Sequence, residues 1–325
     1  MKNILKINLV TSSAVLAMVF LLIYPKQTIY FAKSGLLAWF NNVIPSLFPF
    51  MVAVNIITGR SGNAGFPHFL TKPFGKLFNV SENGFIVFLF GLLSGYPLGA
   101  KIASDLYCKK QLERLDVQKL MVFCSNAGPM FIVGTLSCAV LNSVKVGYII
   151  LLCSILSNVL TGILINNSIL KFTASTERTV FACCNENKRN SSAVQNSCEA
   201  VIRVGGYVVL FSVIGGMLET LDITDVFSSL ISSFIPINSY DIKSMLSGIL
   251  EMTCGVNSLL NSPSHLALKS ALGAFMVSFG GVSVIAQCAD FLKDTKINIP
   301  FFVFCKLING TLTSVFTYLC ITAFL

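Results

Sequence analysis

Apolar residues fall into runs of membrane-crossing length, separated by shorter polar connections. A transmembrane helix needs about 20 mainly apolar residues. Five runs meet that length cleanly: Ile7–Ile23, Leu36–Ile57, Val146–Ile165, Val201–Leu221 and Phe301–Phe324. Val117–Leu141 and Leu266–Phe291 are long enough but are interrupted by glycine and polar residues, the first also by proline. Phe85–Tyr107 and Ile242–Leu260 differ again, each carrying a knot of glycine and polar residues near its centre. Such a knot frees backbone N–H and C=O groups at mid-membrane depth. That is tolerated only where the backbone is buried in protein or lines a cavity. The pattern predicts an all-α polytopic membrane protein. Lys2 and Lys6 before the first run have the layout of a signal peptide, but no small-x-small cleavage site follows, so Ile7–Ile23 reads as the first membrane helix.

Charge then fixes a topology. With residues 85–107 and 242–260 as re-entrant hairpins and a cytoplasmic N-terminus, 17 of the 23 Lys and Arg residues fall on the cytoplasmic side. A full crossing by 85–107 would instead put the basic stretch Lys109–Lys119 outside, against the positive-inside rule. The chain divides accordingly. Residues 1–83 form N-terminal membrane helices and a cytoplasmic loop, with Pro67 and Pro73 in the segment Gly59–Asn83. A first repeat covers 84–170 (hairpin 85–107, broken helix 117–141, helix 146–165), and a polar cytoplasmic linker covers 171–200. A second repeat covers 201–325 (helix 201–221, hairpin 242–260, broken helix 266–291, helix 301–324). Within Asp222–Asp241, Val226-Phe227 and Leu230-Ile231 recur at helical spacing, which fits a short interfacial helix or an ordered loop.

Composition removes the soluble classes. The 325 residues are 54% hydrophobic and 11% charged, with a mean hydropathy of +0.77. Ordinary soluble domains carry roughly a quarter charged residues. The net charge of +9 is scattered through loops rather than clustered with aromatics, so it points to the positive-inside rule and not to nucleic acid. Most of the 11 cysteines sit in apolar runs as small hydrophobes, and Cys183-Cys184 in the linker fits a reduced, cytosol-facing segment. No P-loop, H-E-x-x-H, G-x-S-x-G or paired-acid pattern occurs, so neither ATP hydrolysis nor another catalytic set is expected. No catalytic residue, metal site or cofactor is assigned.

The candidate chemistry lies at the breaks. G-L-L-S-G-Y-P-L-G-A-K (Gly91–Lys101) is followed by S-N-A-G-P (Ser125–Pro129); G-I-L-E-M-T-C-G-V-N-S (Gly248–Ser258) is followed by S-F-G-G-V (Ser278–Val282). Each pair is a broken hairpin followed by a broken helix, and the linker sets the two in opposite orientations. Inverted repeats with discontinuous helices point to a secondary transporter whose solute sits near the bilayer midplane. Glycines at these places also serve simple helix packing, but packing does not need the serine, asparagine, threonine and glutamate beside them. At Gly95-Tyr96-Pro97-Leu98-Gly99 a new helix presents free N–H groups and a positive dipole end, suited to an anion. Ser94 precedes this tip. Lys101, one turn in, either adds a positive charge there or snorkels to the cytoplasmic surface. Ser125 and Asn126 offer donors and acceptors before Gly128, Asn126 alternatively as a helix cap. Glu251, one turn before a break at Thr253-Cys254-Gly255, is the acid deepest in an apolar run. It is either a proton- or cation-coupling group or a structural partner of Asn257, Lys243 or Lys306. Ser278 marks the second broken helix. Asp290 reads as interfacial beside Lys293, and His68 and His265 as lone loop histidines.

Together, G-L-L-S-G-Y-P-L-G-A-K and C-S-N-A-G-P-M-F-I-V-G-T (Cys124–Thr135) resemble the sporulation integral membrane protein family known as YlbJ or SpoVV, over essentially the whole chain. That family belongs to the nucleoside-recognition "gate" membrane domains and is similar in architecture to concentrative nucleoside transporters. The resemblance implies a mother-cell protein of an endospore former, in the outer forespore membrane, moving dipicolinic acid toward the forespore. By analogy with nucleoside carriers it assigns solute binding to Ser94, Gly95, Tyr96, Ser125, Asn126, Glu251, Thr253 and Asn257. Pro97, Gly99, Lys101, Gly128, Gly255 and Ser278 complete the candidate site from the break pattern. The second half lacks proline at either break, which departs from the first. The expected partners are a small anionic solute, dipicolinate, and membrane lipid; related carriers are multimeric, which leaves a homo-oligomer open. Dipicolinate is a planar dianion that helix N-termini and Lys101 could neutralise and Tyr96 could stack upon. The rivals are a nucleoside or cation carrier, a non-transporting assembly protein for spore cortex or coat, and an intramembrane enzyme.

Overall fold

A computed structural model of the chain describes residues 11–12, 15, 17–60, 66–168 and 192–324. The bulk of the expected linker, including Cys183-Cys184, and the start of the first apolar run lie outside these residues. Among the described residues there are helices and no strand, and five helices are long and apolar enough to cross a membrane. The chain is an all-α polytopic membrane protein.

The spanning helices begin earlier than hydropathy alone suggests. Residues 17–23 are helical, Tyr24 leaves helical geometry (φ −118°, ψ 58°), and α1 (Pro25–Ala38) starts with proline in its first turn. Through a single wide turn at Trp39–Val43 it continues into α2 (Ile44–Arg60), making Pro25–Ile57 one 33-residue span. The expected span Leu36–Ile57 is therefore corrected toward its N-terminus. Lys26 and Lys33 lower the local hydropathy without breaking a helix. Likewise α8 (Ala193–Thr220) starts before Val201, because the Ser192 hydroxyl caps it by accepting from the Gln195 N–H at 3.2 Å.

The segment expected as a loop over Gly59–Asn83 contains α3 (His68–Phe78), preceded by Pro67 and closed by Asn79 at φ +53°. It turns Phe74 and Phe78 inward, where Phe78 stacks on Phe123 at 4.4 Å, and leaves Phe69 and Leu77 exposed. Two prolines suggested a loop; one stands before the helix and the other, Pro73, is accommodated inside it. The segment after α8 contains a helix, α9 (Ile223–Ser232), with Val226, Phe227 and Leu230 exposed on it.

Two helical hairpins occupy the middle of the fold. The first is α4 (Gly84–Ser94) and α5 (Leu98–Cys108), each of 11 residues and so roughly 16 Å long, about half the hydrocarbon thickness. Its feet meet where the Asn83 side chain donates to the Gln111 carbonyl at 3.0 Å. The chain continues through α6 (Arg114–Met121), an irregular stretch, a wide-wound helix over Met130–Val140, and α7 (Val144–Ser168). The second hairpin is α10 (Ser239–Leu250) and α11 (Met252–Ser258), whose feet meet through the Tyr240 hydroxyl and the Ser258 carbonyl at 3.1 Å. Next come α12 (Leu266–Phe279), α13 (Gly281–Phe291) and α14 (Ile299–Phe324).

The 26-residue α14, about 39 Å long, relates the two hairpins. Just before it, Asn298 exchanges two hydrogen bonds with Gln118 of α6, beside the feet of the first hairpin. Near its other end Tyr318 lies 6.3 Å from the ring of His265. His265 follows Ser262 and Ser264, whose hydroxyls donate to Asp241 at the foot of the second hairpin. The two hairpins thus stand on opposite ends of α14.

Candidate functional site

Four interruptions of helix converge between the hairpins. The first, at Gly95 to Pro97, has Gly95 at φ +85° and ψ −176°, a conformation essentially confined to glycine, and a cis Tyr96-Pro97 peptide. A Cβ on Gly95 would lie 2.9 Å from the Gly128 Cα. That close approach brings in the second interruption, the extended stretch Ser125 to Gly128, whose Asn126 carbonyl accepts from the Tyr96 N–H at 2.6 Å. The third is Glu251, extended at φ −139° and ψ 113° between α10 and α11. The fourth is Gly280-Gly281, both at positive φ, where a Cβ on Gly281 would lie 2.8 Å from the Gly248 carbonyl oxygen.

The third interruption corrects the sequence expectation. The break falls at Glu251 itself, not one turn later at Thr253-Cys254-Gly255. Glu251 is the N-cap of α11: its carboxylate accepts from the Cys254 N–H at 2.9 Å and from the Thr253 hydroxyl. A side-chain acceptor at this position satisfies an orphan helix N–H. None of the three expected structural partners binds it. Asn257 is exposed, Lys243 pairs with Asp225 and Glu219, and Lys306 donates to a carbonyl elsewhere.

The first three interruptions frame a cavity whose open space, its mouth included, amounts to about 600 Å³. Its polar lining comes from Ser46, Ser94, Tyr96, Glu251, Thr253 and Gln287; the walls are apolar, with Leu47, Phe50, Phe131, Val204 and Val284 among them. A mainly apolar pocket with a few convergent polar groups is the general form of a small-molecule site. Of the candidate residues, Ser94, Tyr96, Gly128, Glu251 and Thr253 line it. Ser94 donates to the Phe90 carbonyl at 2.5 Å. Tyr96 reaches across the halves, its hydroxyl 3.2 Å from both the Val277 carbonyl and the Met252 Sδ.

Other candidates serve the frame. Gly95 and Pro97 make the turn, Gly99 packs beside the Cys124 carbonyl, and Gly255 packs on Gly248. Asn126 is buried, its amide donating to the Phe123 carbonyl at 2.6 Å. Ser125 is buried with its hydroxyl 3.4 Å from Cys288 Sγ, and Ser278 is buried without a hydrogen-bond partner among the described residues. Two candidates stand away from the cavity. Asn257 faces outward, and Lys101 turns to Asp105 at 2.9 Å and to Asn55 at 3.0 Å, which in turn bonds Ser197 of α8. Lys101 thus sits in a polar cluster between α2, α5 and α8. Asp290, expected only to be interfacial, pairs with Arg203 at 3.2 Å. His68 lies 3.0 Å from Glu82, and Cys108, at the end of α5, is disulfide-bonded.

Two polar groups were missed as candidates. Gln287 of α13 lines the cavity, and Lys306 of α14, 1% exposed, donates to the Ser125 carbonyl at the second interruption. A lysine amid the apolar run Phe301–Phe324 was the available signal for the latter.

Outside the spans, the segments at the feet of the first hairpin carry two perturbed acids, Glu82 in a turn and Asp116 in the first turn of α6. The Thr71 hydroxyl, and then His68, hold Glu82 below the usual carboxylate range, whereas burial pushes Asp116 above it despite a 3.1 Å hydrogen bond from the Ser81 N–H.

Over 98% of its length the chain aligns, at 27% identity, with 84% of the sporulation integral membrane protein YlbJ of Bacillus subtilis (strain 168). This supports assignment to the YlbJ family. No family model matches, and no solved structure matches. Like the YlbJ relative by its name, the chain is an integral membrane protein, and its five spanning-length helices give that residence a physical basis.

Proposed function

We propose that this protein is a secondary transporter or facilitator of a small anionic solute, dipicolinate, working across the outer forespore membrane during sporulation. The observation that carries the reading is the cavity where helix interruptions from both halves meet, apolar in its walls and polar at the breaks. Interrupted helices leave unpaired backbone groups, and these are tolerated at membrane depth where they line a cavity. The two halves share an order of broken hairpin, broken helix and long helix, and their hairpins stand on opposite ends of α14. That arrangement supports an inverted repeat with alternating access. The name of the B. subtilis relative supports a role in sporulation. In this reading the N-terminus and the linker are cytoplasmic, lipid surrounds the chain, and the protein performs no covalent chemistry.

The solute is held between the halves. Tyr96 offers a ring face to a planar aromatic acid, and the first turn of the helix after Gly128 offers N–H groups. Uptake of labelled dipicolinate by proteoliposomes holding the purified protein tests this. Saturable uptake above empty liposomes, not matched by uridine, is the expected result. Uptake of uridine without dipicolinate would replace it with a nucleoside carrier. Normal spore dipicolinate in a deletion strain would remove the transport role.

A further inference from the structure

The geometry points to Lys306 as the cation that receives a carboxylate of the solute, an inference that rests on the anion-carrier reading above. Three lysines are buried among the described residues. Lys101 pairs with Asp105, and Lys119 donates to the Asn79 carbonyl at 2.6 Å, at the feet of the first hairpin. Lys306 differs from both. It lies in the interior of a spanning helix, makes no ion pair among the described residues, and its one hydrogen-bond partner there is the Ser125 carbonyl. An ammonium has three donors, so two remain uncommitted. A neutral carbonyl is also a weaker acceptor than a carboxylate, which forms the shorter, charge-assisted bond.

Its position decides what it can reach. The Lys306 ammonium lies 5.8 Å from the centroid of the Tyr96 ring, and that ring lines the cavity while Lys306 does not. Tyr96 therefore stands as a partition between cavity and ammonium. The backbone of Tyr96 is fixed by Asn126, but its hydroxyl is held only by two 3.2 Å contacts, one of them to a thioether, a weak acceptor. Rotation of the ring opens the cavity to the ammonium at the price of those two contacts. The cavity itself contains a carboxylate, Glu251, and no cation, so an anion bound there needs this positive charge. An aromatic monocarboxylate or dicarboxylate fits: one carboxylate on Lys306, the ring against Tyr96.

The test compares wild type with K306Q, K306M and K306R in proteoliposomes, using labelled dipicolinate, picolinate with its single carboxylate, and uncharged nicotinamide. Only preparations that elute as one species are compared, and preference between probes is taken within each variant, so folded fraction does not enter. Losing one charged hydrogen bond should raise KM for dipicolinate roughly 10- to 100-fold in the uncharged variants, narrowing its advantage over nicotinamide by the same factor. K306R should retain most of it. Unchanged KM and unchanged preference in K306Q or K306M, with wild type still carrying dipicolinate, would overturn the role of Lys306 and leave the carrier standing. Wild type that carries no carboxylate while carrying uridine would remove both.

Discussion

Glu251 has two separable jobs in this structure, and substitutions can part them. Its carboxylate caps α11 through the Cys254 N–H and the Thr253 hydroxyl, and it also lines the cavity. Glu251→Ala removes the cap, which costs about 0.5–2 kcal/mol, and leaves the buried Thr253 hydroxyl without its acceptor, at about 1–3 kcal/mol. The two losses overlap, so the expected destabilisation is roughly 2–3 kcal/mol, or a fall of about 4–10 °C in melting temperature. Glu251→Gln keeps an oxygen in the capping position and should lie within about 1 kcal/mol of wild type. It carries no charge, however. A carboxylate facing the cavity repels an anion held there, so Glu251→Gln should lower KM for dipicolinate relative to wild type. The assays are melting of the purified protein in detergent and initial uptake rates across a range of dipicolinate concentrations. An unchanged KM in Glu251→Gln would refute a role for this carboxylate in the cavity. A Glu251→Gln protein as unstable as Glu251→Ala would refute the division of roles.

Other substitutions probe the frame and its loops. Gly95→Ala places a Cβ against Gly128 at φ +85° and should cost roughly 2–5 kcal/mol by strain and overlap, whereas Gly134→Ala meets nothing within 4 Å and should melt at or above wild type; equal melting temperatures would contradict the crossing. Asp116 is raised by burial, so the folded state holds its proton more tightly and stability should decline as pH climbs from the ordinary carboxylate range through the raised value. Asp116→Asn should flatten that decline, and a melting temperature at pH 8 no higher than wild type would count against it. Glu82 has the opposite sign: lowered first by Thr71, its contribution is present above the ordinary carboxylate value and fades on acidification below it, so Thr71→Val should narrow the difference between melts above and below that range. Lys101→Gln breaks a partly exposed pair with Asp105 and should cost about 1 kcal/mol or less without moving KM for dipicolinate; a tenfold rise would return Lys101 to the binding site.

The breaks in the first half were legible because glycine and proline punctuate a chain whatever surrounds them. Gly95-Tyr96-Pro97 and Gly128-Pro129 are such marks, and Gly280-Gly281 is another. Glu251 was legible as unusual but not in its role. An acid deep in an apolar run reads as a ligand, yet here it is also the helix-start signal, and the break moves onto it. The early start of α1 and the existence of α3 were hidden by local averages, since two lysines and two prolines outweigh a helical pattern they do not disrupt. Lys101 and Lys306 show a different limit. Both are lysines in or near apolar segments, and only tertiary contacts decide which one is neutralised. Asp105, four residues on from Lys101, offered a local hint. Nothing near Lys306 in sequence hints at Ser125, which lies on the other half of the chain.

The distribution of charge argues for a site and against mere structural ballast. Glu251 and Lys306 are both buried, at 3% and 1% exposure, and they flank Tyr96 without bonding to each other. If their purpose were stability, a direct pair would be the natural arrangement, because a lone buried charge is expensive and a well-made pair recovers part of that cost. Replacing both by apolar residues would cost less still. Keeping an acid and a base apart is useful where each must exchange partners. A base that is already neutralised cannot take a carboxylate, and an acid locked to a lysine cannot respond to the arrival of an anion. The double variant E251Q/K306Q therefore has a distinctive expectation. Its loss of stability should equal the sum of the two single losses, since no mutual pair is lost, while its preference for dipicolinate over nicotinamide should fall below that of E251Q. Strong mutual rescue of stability in the double variant, by more than about 1 kcal/mol, would show that the two charges hold each other and that the separation means nothing for transport.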